Sequence, residues 1–96
     1  MAKRILTKHP EGKSGVSIDR QKYLAIRAAI LDSLRTKGVM TFKTLMEVVE
    51  RKLAGTFEGS ISWYVTTVKL DLEARKEIER VPGSRPQQLR LAGQGQ

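Results

Sequence analysis

The hydrophobic pattern of the last third of the chain changes its period, and this change limits the possible folds. Residues 60–76 carry apolar side chains at helical spacing, with about 100° of rotation per residue. The apolar residues that share one side of this helix are Ile61, Tyr64, Val65, Val68 and Leu72. From about residue 77, apolar and polar residues alternate instead, which is typical of strands. The segment therefore predicts a helix capped by Ser60 and followed directly by a hairpin that pairs about 77–81 with 87–91.

Two further helices are predicted upstream of this segment. Asp19 is a favourable N-cap for a helix over residues 19–37, which carries a broad apolar face. Thr41 can cap a second helix over residues 42–54, and a short extended segment joins the two. The sequence thus predicts the order helix, short strand, helix, loop, helix, hairpin.

The length and composition fit one small domain. The chain has 96 residues, of which 40% are hydrophobic, so a modest core is possible. We expect residues 18–92 to form the domain. Residues 1–17 show no sustained periodicity and contain turn-forming residues, which predicts a flexible basic arm. Residues 93–96 are expected to be a polar tail.

The chain shows no sign of export or of membrane insertion. No stretch approaches the roughly 20 apolar residues of a membrane span. The first residues are basic but lack the apolar region of a signal peptide. The absence of cysteine excludes a disulfide framework and thiolate metal sites. These features favour a cytoplasmic protein without membrane contact.

Several segments of the chain resemble a known family. They are Pro10-Glu11-Gly12-Lys13, Ile18-Asp19-Arg20-Gln21-Lys22-Tyr23, Trp63-Tyr64 and Val68-Lys69-Leu70-Asp71-Leu72-Glu73-Ala74-Arg75. They look like a family of small bacterial winged-helix proteins of unknown function, and residues 18–91 resemble the wider winged helix-turn-helix superfamily. The resemblance implies an α+β fold of three helices with a C-terminal β-hairpin wing. It places residues 60–75 at the position of the recognition helix and residues 82–86 at the wing tip, and it implies no activity.

The charge of the chain favours nucleic acid as a partner. The net charge is +8 with a pI of about 10.2, and the excess lies mainly in the arm and the middle of the chain. The third helix is poor in the residues that usually read base edges, so we expect phosphate contacts from the arm and the wing, with DNA as the leading partner. A regulatory role would be compatible with such binding. The candidate nucleic-acid-binding residues are Lys3, Arg4, Lys13, Ser62, Thr66, Lys69, Arg80 and Arg85.

Three features weigh against this interpretation. Carboxylates at Glu58, Asp71 and Glu73 are expected to repel a phosphate backbone, and a basic arm also serves solubility alone. Moreover, Trp63 and Leu70 are seven residues apart and share the outward side of the third helix. The alternative function is therefore a contact with a protein partner or a second copy through Trp63, Thr67 and Leu70. A third possibility is that the wing, the arm or Phe57 simply covers these side chains.

The sequence offers little support for catalysis or for a cofactor. His9 is the only histidine, and it has no cluster of further metal ligands nearby. Gly12-Lys13-Ser14 is similar to the end of a phosphate-binding loop, but the glycine required five residues earlier is replaced by Thr7. The acidic residues of the predicted helices have basic neighbours and are better explained as exposed ion pairs. We therefore expect a protein that is not an enzyme and that has no cofactor and no metal.

Overall fold

The computed structural model describes residues 3–93 and has an α+β architecture. The elements in chain order are β1 Arg4–Leu6, β2 Ser17–Asp19, α1 Arg20–Lys37, β3 Val39–Thr41, α2 Phe42–Leu53, α3 Ile61–Ala74, β4 Ile78–Arg80 and β5 Gln88–Leu91. The three predicted helices and the predicted C-terminal strand pair are confirmed, with bounds that differ by one or two residues. Met1, Ala2 and the predicted tail beyond Gly93 lie outside the described residues.

Each helix begins at the polar residue that the sequence predicts. The Asp19 side chain accepts a hydrogen bond from the Lys22 backbone N–H at 3.0 Å. The Thr41 hydroxyl accepts one from the Thr44 N–H at 3.1 Å, and Ser60 caps α3 in the same way. Such a cap satisfies one of the backbone donors that has no partner inside the helix. The three helix starts are therefore fixed by local chemistry.

A three-stranded antiparallel sheet closes one side of the helices in the order β3-β5-β4. Met40 of β3 lies opposite Leu89 of β5, and Arg80 of β4 lies opposite the same leucine. Leu89 is fully buried because its side of the sheet packs on the core. We call β4, β5 and the loop of residues 81–87 between them the C-terminal hairpin.

The core lies where the three helices and this sheet meet. Residues with essentially no exposed surface come from every one of these layers. They are Ile26, Ile30 and Leu34 of α1, Leu45 and Val49 of α2, Val65, Val68 and Leu72 of α3, Ile78 of β4 and Leu89 of β5. Their removal from water is the main stabilising contribution to the fold.

The first residues form a second hairpin, which sequence reasoning did not predict. Arg4–Leu6 pairs antiparallel with Ser17–Asp19, and Ile5 lies opposite Ile18. Ile18 is buried and Ile5 packs against the core, so the pairing removes two apolar side chains from water. The predicted boundary between an arm of residues 1–17 and the domain runs through this pairing. Arg4–Leu6 is therefore joined to the domain by a strand ladder, whereas flexibility of the connecting loop stays a prediction. We call residues 4–19 the N-terminal hairpin.

Candidate nucleic-acid interface

The exposed surface of α3 is confined to its N-terminal half. Ser62, Trp63 and Thr66 are exposed, whereas every residue from Thr67 to Ala74 is buried or half-buried. The helix therefore presents a short strip rather than a whole face. Because successive residues rotate by about 100°, the residues beyond the strip turn toward two different neighbours, one on each flank.

The N-terminal hairpin covers one flank of α3. The Lys8 backbone N–H donates to Asp71 Oδ1 at 2.8 Å, which ties the hairpin to the middle of the helix. Thr67 and Leu70 line a cavity of about 100 Å³ together with hairpin residues that include Val16. This contact covers part of the side of α3 that sequence analysis assigned to a protein partner.

The start of α2 and the C-terminal hairpin border the opposite flank. Lys69 is only 6% exposed, and its ammonium group lies 5.1 Å from the centre of the Phe42 ring. Lys69 Nζ is 2.7 Å from Glu73 Oε2, and Arg80 Nε donates to Glu73 Oε1 at 2.8 Å. Glu73 Oε2 accepts no hydrogen bond of regular geometry, so its contact with Lys69 is chiefly electrostatic. The Phe42 N–H donates to the Gln87 carbonyl, which brings the end of the hairpin loop to the start of α2.

Asp71 is the centre of a buried polar network. Its carboxylate is fully buried and accepts hydrogen bonds from the Tyr23 hydroxyl at 2.5 Å and from Arg75 Nε at 2.9 and 3.0 Å, in addition to the Lys8 N–H. Burial, followed by the hydrogen bond to Asp71, raises the pKa of Tyr23 to about 12. The same carboxylate raises the pKa of the Arg75 guanidinium. The network links α1, α3 and the N-terminal hairpin.

An aromatic cluster lies at the N-terminal end of α3. The rings of Phe57 and Tyr64 meet edge to face with centroids 5.1 Å apart, and Trp63 meets Tyr64 in the same manner at 5.0 Å. The Lys22 ammonium lies 5.5 Å from the Tyr64 centroid and 5.8 Å from that of Phe57. Trp63 remains 46% exposed. Such cation–ring and ring–ring contacts favour a fixed arrangement of the cluster.

The predicted nucleic-acid-binding residues occupy three different environments. Lys3, Arg4, Lys13, Ser62, Thr66, Arg80 and Arg85 are exposed. Arg4 bonds to the Ser17 hydroxyl and carbonyl, and Lys13 pairs with Glu11 at 3.2 Å. Lys69 is instead buried in its ion pair, because it lies between Phe42 and Glu73 rather than at the rim of the helix. The structure thus places Arg4 and Lys13 on the N-terminal hairpin and Arg80 and Arg85 on the C-terminal hairpin, and it leaves the exposed strip of α3 neutral.

The residues of the predicted protein-contact face differ in how far they are exposed to solvent. Trp63 is exposed, while Thr67 and Leu70 are half-buried against the N-terminal hairpin. The possibility that the arm folds over this face therefore holds for Thr67 and Leu70. It does not hold to the same extent for Trp63, which is the most exposed of the three.

Comparison with known proteins identifies a family. The sequence model of a family of unknown function (DUF6958) matches residues 4–89. The chain belongs to this family. No functionally curated protein matches the chain. The family membership therefore confirms the resemblance to a family of unknown function, and a bacterial origin stays a prediction.

The matched region includes two features that sequence analysis did not predict, the burial of Asp71, which was expected to repel phosphates, and the aromatic cluster. Asp71 stands seven residues after Tyr64, a member of the predicted buried stripe, and four before Arg75. The first spacing places Asp71 at the edge of the buried side of α3, and the second places it next to the cation Arg75. The sequence therefore contained a signal for a buried ion pair at Asp71. The approach of Phe57 and Lys22 to Tyr64 depends on the loop path and could not be read from periodicity.

The described residues also bear on metal binding and on membrane insertion. Within residues 3–93, no three His, Cys, Asp or Glu side chains are grouped so that they could hold a metal ion. No helix of that same region has both the length and the apolar character needed to cross a membrane. None of these observations bears on catalytic activity, so the absence of such activity remains a prediction.

Proposed function

We propose that the chain is a winged-helix protein that binds nucleic acid, with DNA as the leading partner. In this proposal α3 occupies the recognition-helix position and the C-terminal hairpin is the wing. The cations of the two hairpins contact phosphates on either side of the exposed strip Ser62, Trp63 and Thr66. The binding depends little on base sequence.

The element order supports the winged-helix assignment. A strand between the first two helices pairs with the last strand, and the sheet order is β3-β5-β4. A hairpin after the third helix is the arrangement in which wing and helix face the same partner. Arg80 of β4 reaches Glu73 of α3, so the root of the hairpin lies directly beside the helix.

One observation carries the proposal: the carboxylates of α3 are withdrawn from its surface. Asp71 is fully buried and held by Arg75, and the side chain of Glu73 is 7% exposed between Lys69 and Arg80. The repulsion of phosphates that the sequence suggested is therefore largely cancelled at short range. The exposed strip offers hydroxyl groups and an indole, which can approach a polyanion without an electrostatic penalty.

The distribution of unpaired charge supports the same partner. Eight of the 18 lysine and arginine side chains form ion pairs with carboxylates among residues 3–93, which leaves ten without such a pair in that region. Six of the ten acidic side chains are engaged in those pairs. Arg4 and Lys8 belong to the N-terminal hairpin, which reaches α3 through the Lys8 N–H, and Arg85 belongs to the C-terminal hairpin. Cations in such positions release counterions when they meet phosphates.

The proposal is tested by titrating the protein with random-sequence duplex DNA at two salt concentrations, with fluorescence anisotropy of labelled DNA as the readout. We expect binding at low salt that weakens steeply as salt rises. Arg85→Glu should weaken binding about tenfold or more, because it reverses a charge in the loop of the proposed wing. Arg51→Glu is the matched control, since Arg51 is also exposed and unpaired among the described residues but lies at the far end of α2 from Phe42.

The two variants distinguish binding at the proposed interface from attraction by net charge. Binding that Arg85→Glu weakens and Arg51→Glu leaves nearly unchanged supports the proposed interface. Equal losses in the two variants would show attraction by net charge alone and would contradict the placement of the site. No binding at low salt would remove duplex DNA as the partner.

A second candidate function follows from the exposure of Trp63. An indole that is 46% exposed at the end of a helix is a frequent anchor of protein contacts. In this alternative, Trp63 contacts a second copy or a partner protein, and Trp63→Ala abolishes self-association in analytical ultracentrifugation without loss of the fold. A wild-type protein that sediments as a monomer at all concentrations would contradict the homodimer form of this alternative.

A further inference from the structure

Three of the five aromatic residues of the chain converge on one surface site. The sequence has two Phe, two Tyr and one Trp, and sequence analysis placed Tyr64 in the buried stripe of the third helix and Trp63 on its outward side. In the structure, Tyr64 is in edge-to-face contact with both Phe57 and Trp63. Trp63 is the outermost of the three and the only one that is classed as exposed.

The surroundings of Trp63 combine an aromatic surface with polar groups. Ser62 and Thr66 flank it on the exposed strip, and the Thr66 hydroxyl donates to the Ser62 carbonyl at 3.0 Å. The Lys22 ammonium lies against the far members of the cluster, within 5.8 Å of both ring centroids. The opposing charge nearby in the sequence is Glu58, which is exposed in the loop before α3.

We propose that Trp63 stacks on an unpaired nucleobase, so that the preferred ligand is a single strand or a duplex that exposes an unpaired base. This inference rests on the proposed function and names the form of nucleic acid that the site selects. Aromatic side chains beside cations are the usual means of holding single strands, because every base offers a π face. Bases inside a regular duplex are stacked on one another, so their faces are closed to the indole.

Charge favours a nucleic-acid ligand over a second copy of the chain at this site. A symmetric contact around Trp63 would bring the Lys22 ammonium groups of both copies toward the same interface, because Lys22 lies against the same aromatic cluster. The net charge of +8 on each copy would oppose that approach. A polyanion with accessible bases can offer a base to the exposed indole and phosphates to Lys22 of the same cluster.

The chain contains one tryptophan, so its fluorescence reports on the proposed contact directly. The protein is titrated with an oligothymidylate of about 12 nucleotides and, separately, with a duplex of equal phosphate number, while emission and anisotropy are followed. We expect quenching of the Trp63 emission by the single strand and tighter binding than to the duplex. Trp63→Ala should weaken single-strand binding about tenfold to a hundredfold, and Trp63→Phe should retain most of it.

Two controls separate stacking from structural effects. Val39→Ala removes part of a side chain that is 47% exposed in β3, and it should leave single-strand affinity unchanged. Thermal unfolding followed by circular dichroism should show that Trp63→Ala keeps the fold, since the replaced ring is at the surface. The salt dependence of the remaining binding should be the same in wild type and Trp63→Ala, because no phosphate contact is removed.

The outcomes distinguish this inference from the proposed function. Single-strand binding with unchanged Trp63 emission, or with equal affinity in wild type and Trp63→Ala, would overturn stacking and leave phosphate-driven binding in place. A duplex that binds as tightly as the single strand and is equally insensitive to Trp63→Ala would do the same. Absence of binding to either ligand would overturn both proposals. Loss of self-association alone in Trp63→Ala would assign the indole to a protein contact instead.

Discussion

The Asp71 carboxylate is fully buried, and three donor groups offset the loss of its hydration. The donors come from three parts of the chain: the Lys8 backbone, the Tyr23 hydroxyl and the Arg75 guanidinium. A charge buried in this way stabilises the fold only while all its partners are present, because an unpaired buried charge is strongly unfavourable. The residue therefore couples the position of the N-terminal hairpin to that of α3.

Asp71→Asn tests this coupling. The substitution keeps the shape of the side chain but removes the charge and places donor hydrogens next to the existing donors. We expect the free energy of unfolding to fall by about 2–4 kcal/mol, measured by urea denaturation. Glu47→Gln is the control, since Glu47 is exposed on α2 and forms no ion pair among the described residues. Equal stability of Asp71→Asn and wild type would show that the network contributes nothing to the fold.

The raised pKa of Tyr23 leads us to expect a decrease in the stability of the fold at alkaline pH. Its pKa is raised to about 12 in the folded protein, whereas an unfolded chain has a value near 10. The protonated phenol is thus favoured by folding, so its contribution is complete below pH 10 and is lost as the pH rises from about 10 to 12. We expect stability to fall by up to about 3 kcal/mol across that range, measured by denaturation at each pH. Tyr23→Phe should show a smaller decrease, and an identical pH profile in both proteins would contradict this role.

At the scale of elements, the N-terminal hairpin changes the surface of α3 most. It hides Asp71, partly covers Thr67 and Leu70, and leaves the strip at the N-terminal half exposed. The hairpin itself depends on a close approach of two backbone segments. The Thr7 N–H donates to the Val16 carbonyl at 2.9 Å, and the Val16 N–H donates to the Thr7 hydroxyl.

Gly15→Ala should weaken this hairpin. A Cβ atom at Gly15 would lie 1.7 Å from the Thr7 carbonyl oxygen, a contact that only a shift of the backbone can relieve. We expect a loss of about 1–3 kcal/mol in stability and faster hydrogen exchange at the Lys8 amide, followed by NMR. Ser14→Ala is the control, since its side chain is exposed and the change introduces no clash. Unchanged protection of Lys8 in Gly15→Ala would contradict the close packing of this loop.

At the scale of the whole molecule, the elements whose residues follow a period were predictable. Helical spacing and the caps Asp19, Thr41 and Ser60 gave the three helices, and alternation gave the C-terminal hairpin. The pairing of Arg4–Leu6 with Ser17–Asp19 was not predictable, because three-residue strands are too short to show a period. The burial of Lys69 was missed for a related reason, since it depends on Phe42, which is distant in sequence.

The charge distribution of the whole molecule makes Glu58 the acidic residue that most weakens the proposed interface. It is exposed, forms no ion pair among the described residues and stands two positions before the Ser60 cap of α3. Removal of its charge should raise the positive potential over the strip without disturbing the core. We expect Glu58→Gln to increase the affinity for nucleic acid about twofold to fivefold at low salt, with the difference fading as salt rises. Glu50→Gln makes the same charge change on α2 and should have a smaller effect. If the two variants gain affinity equally, net charge rather than the surface around α3 determines binding.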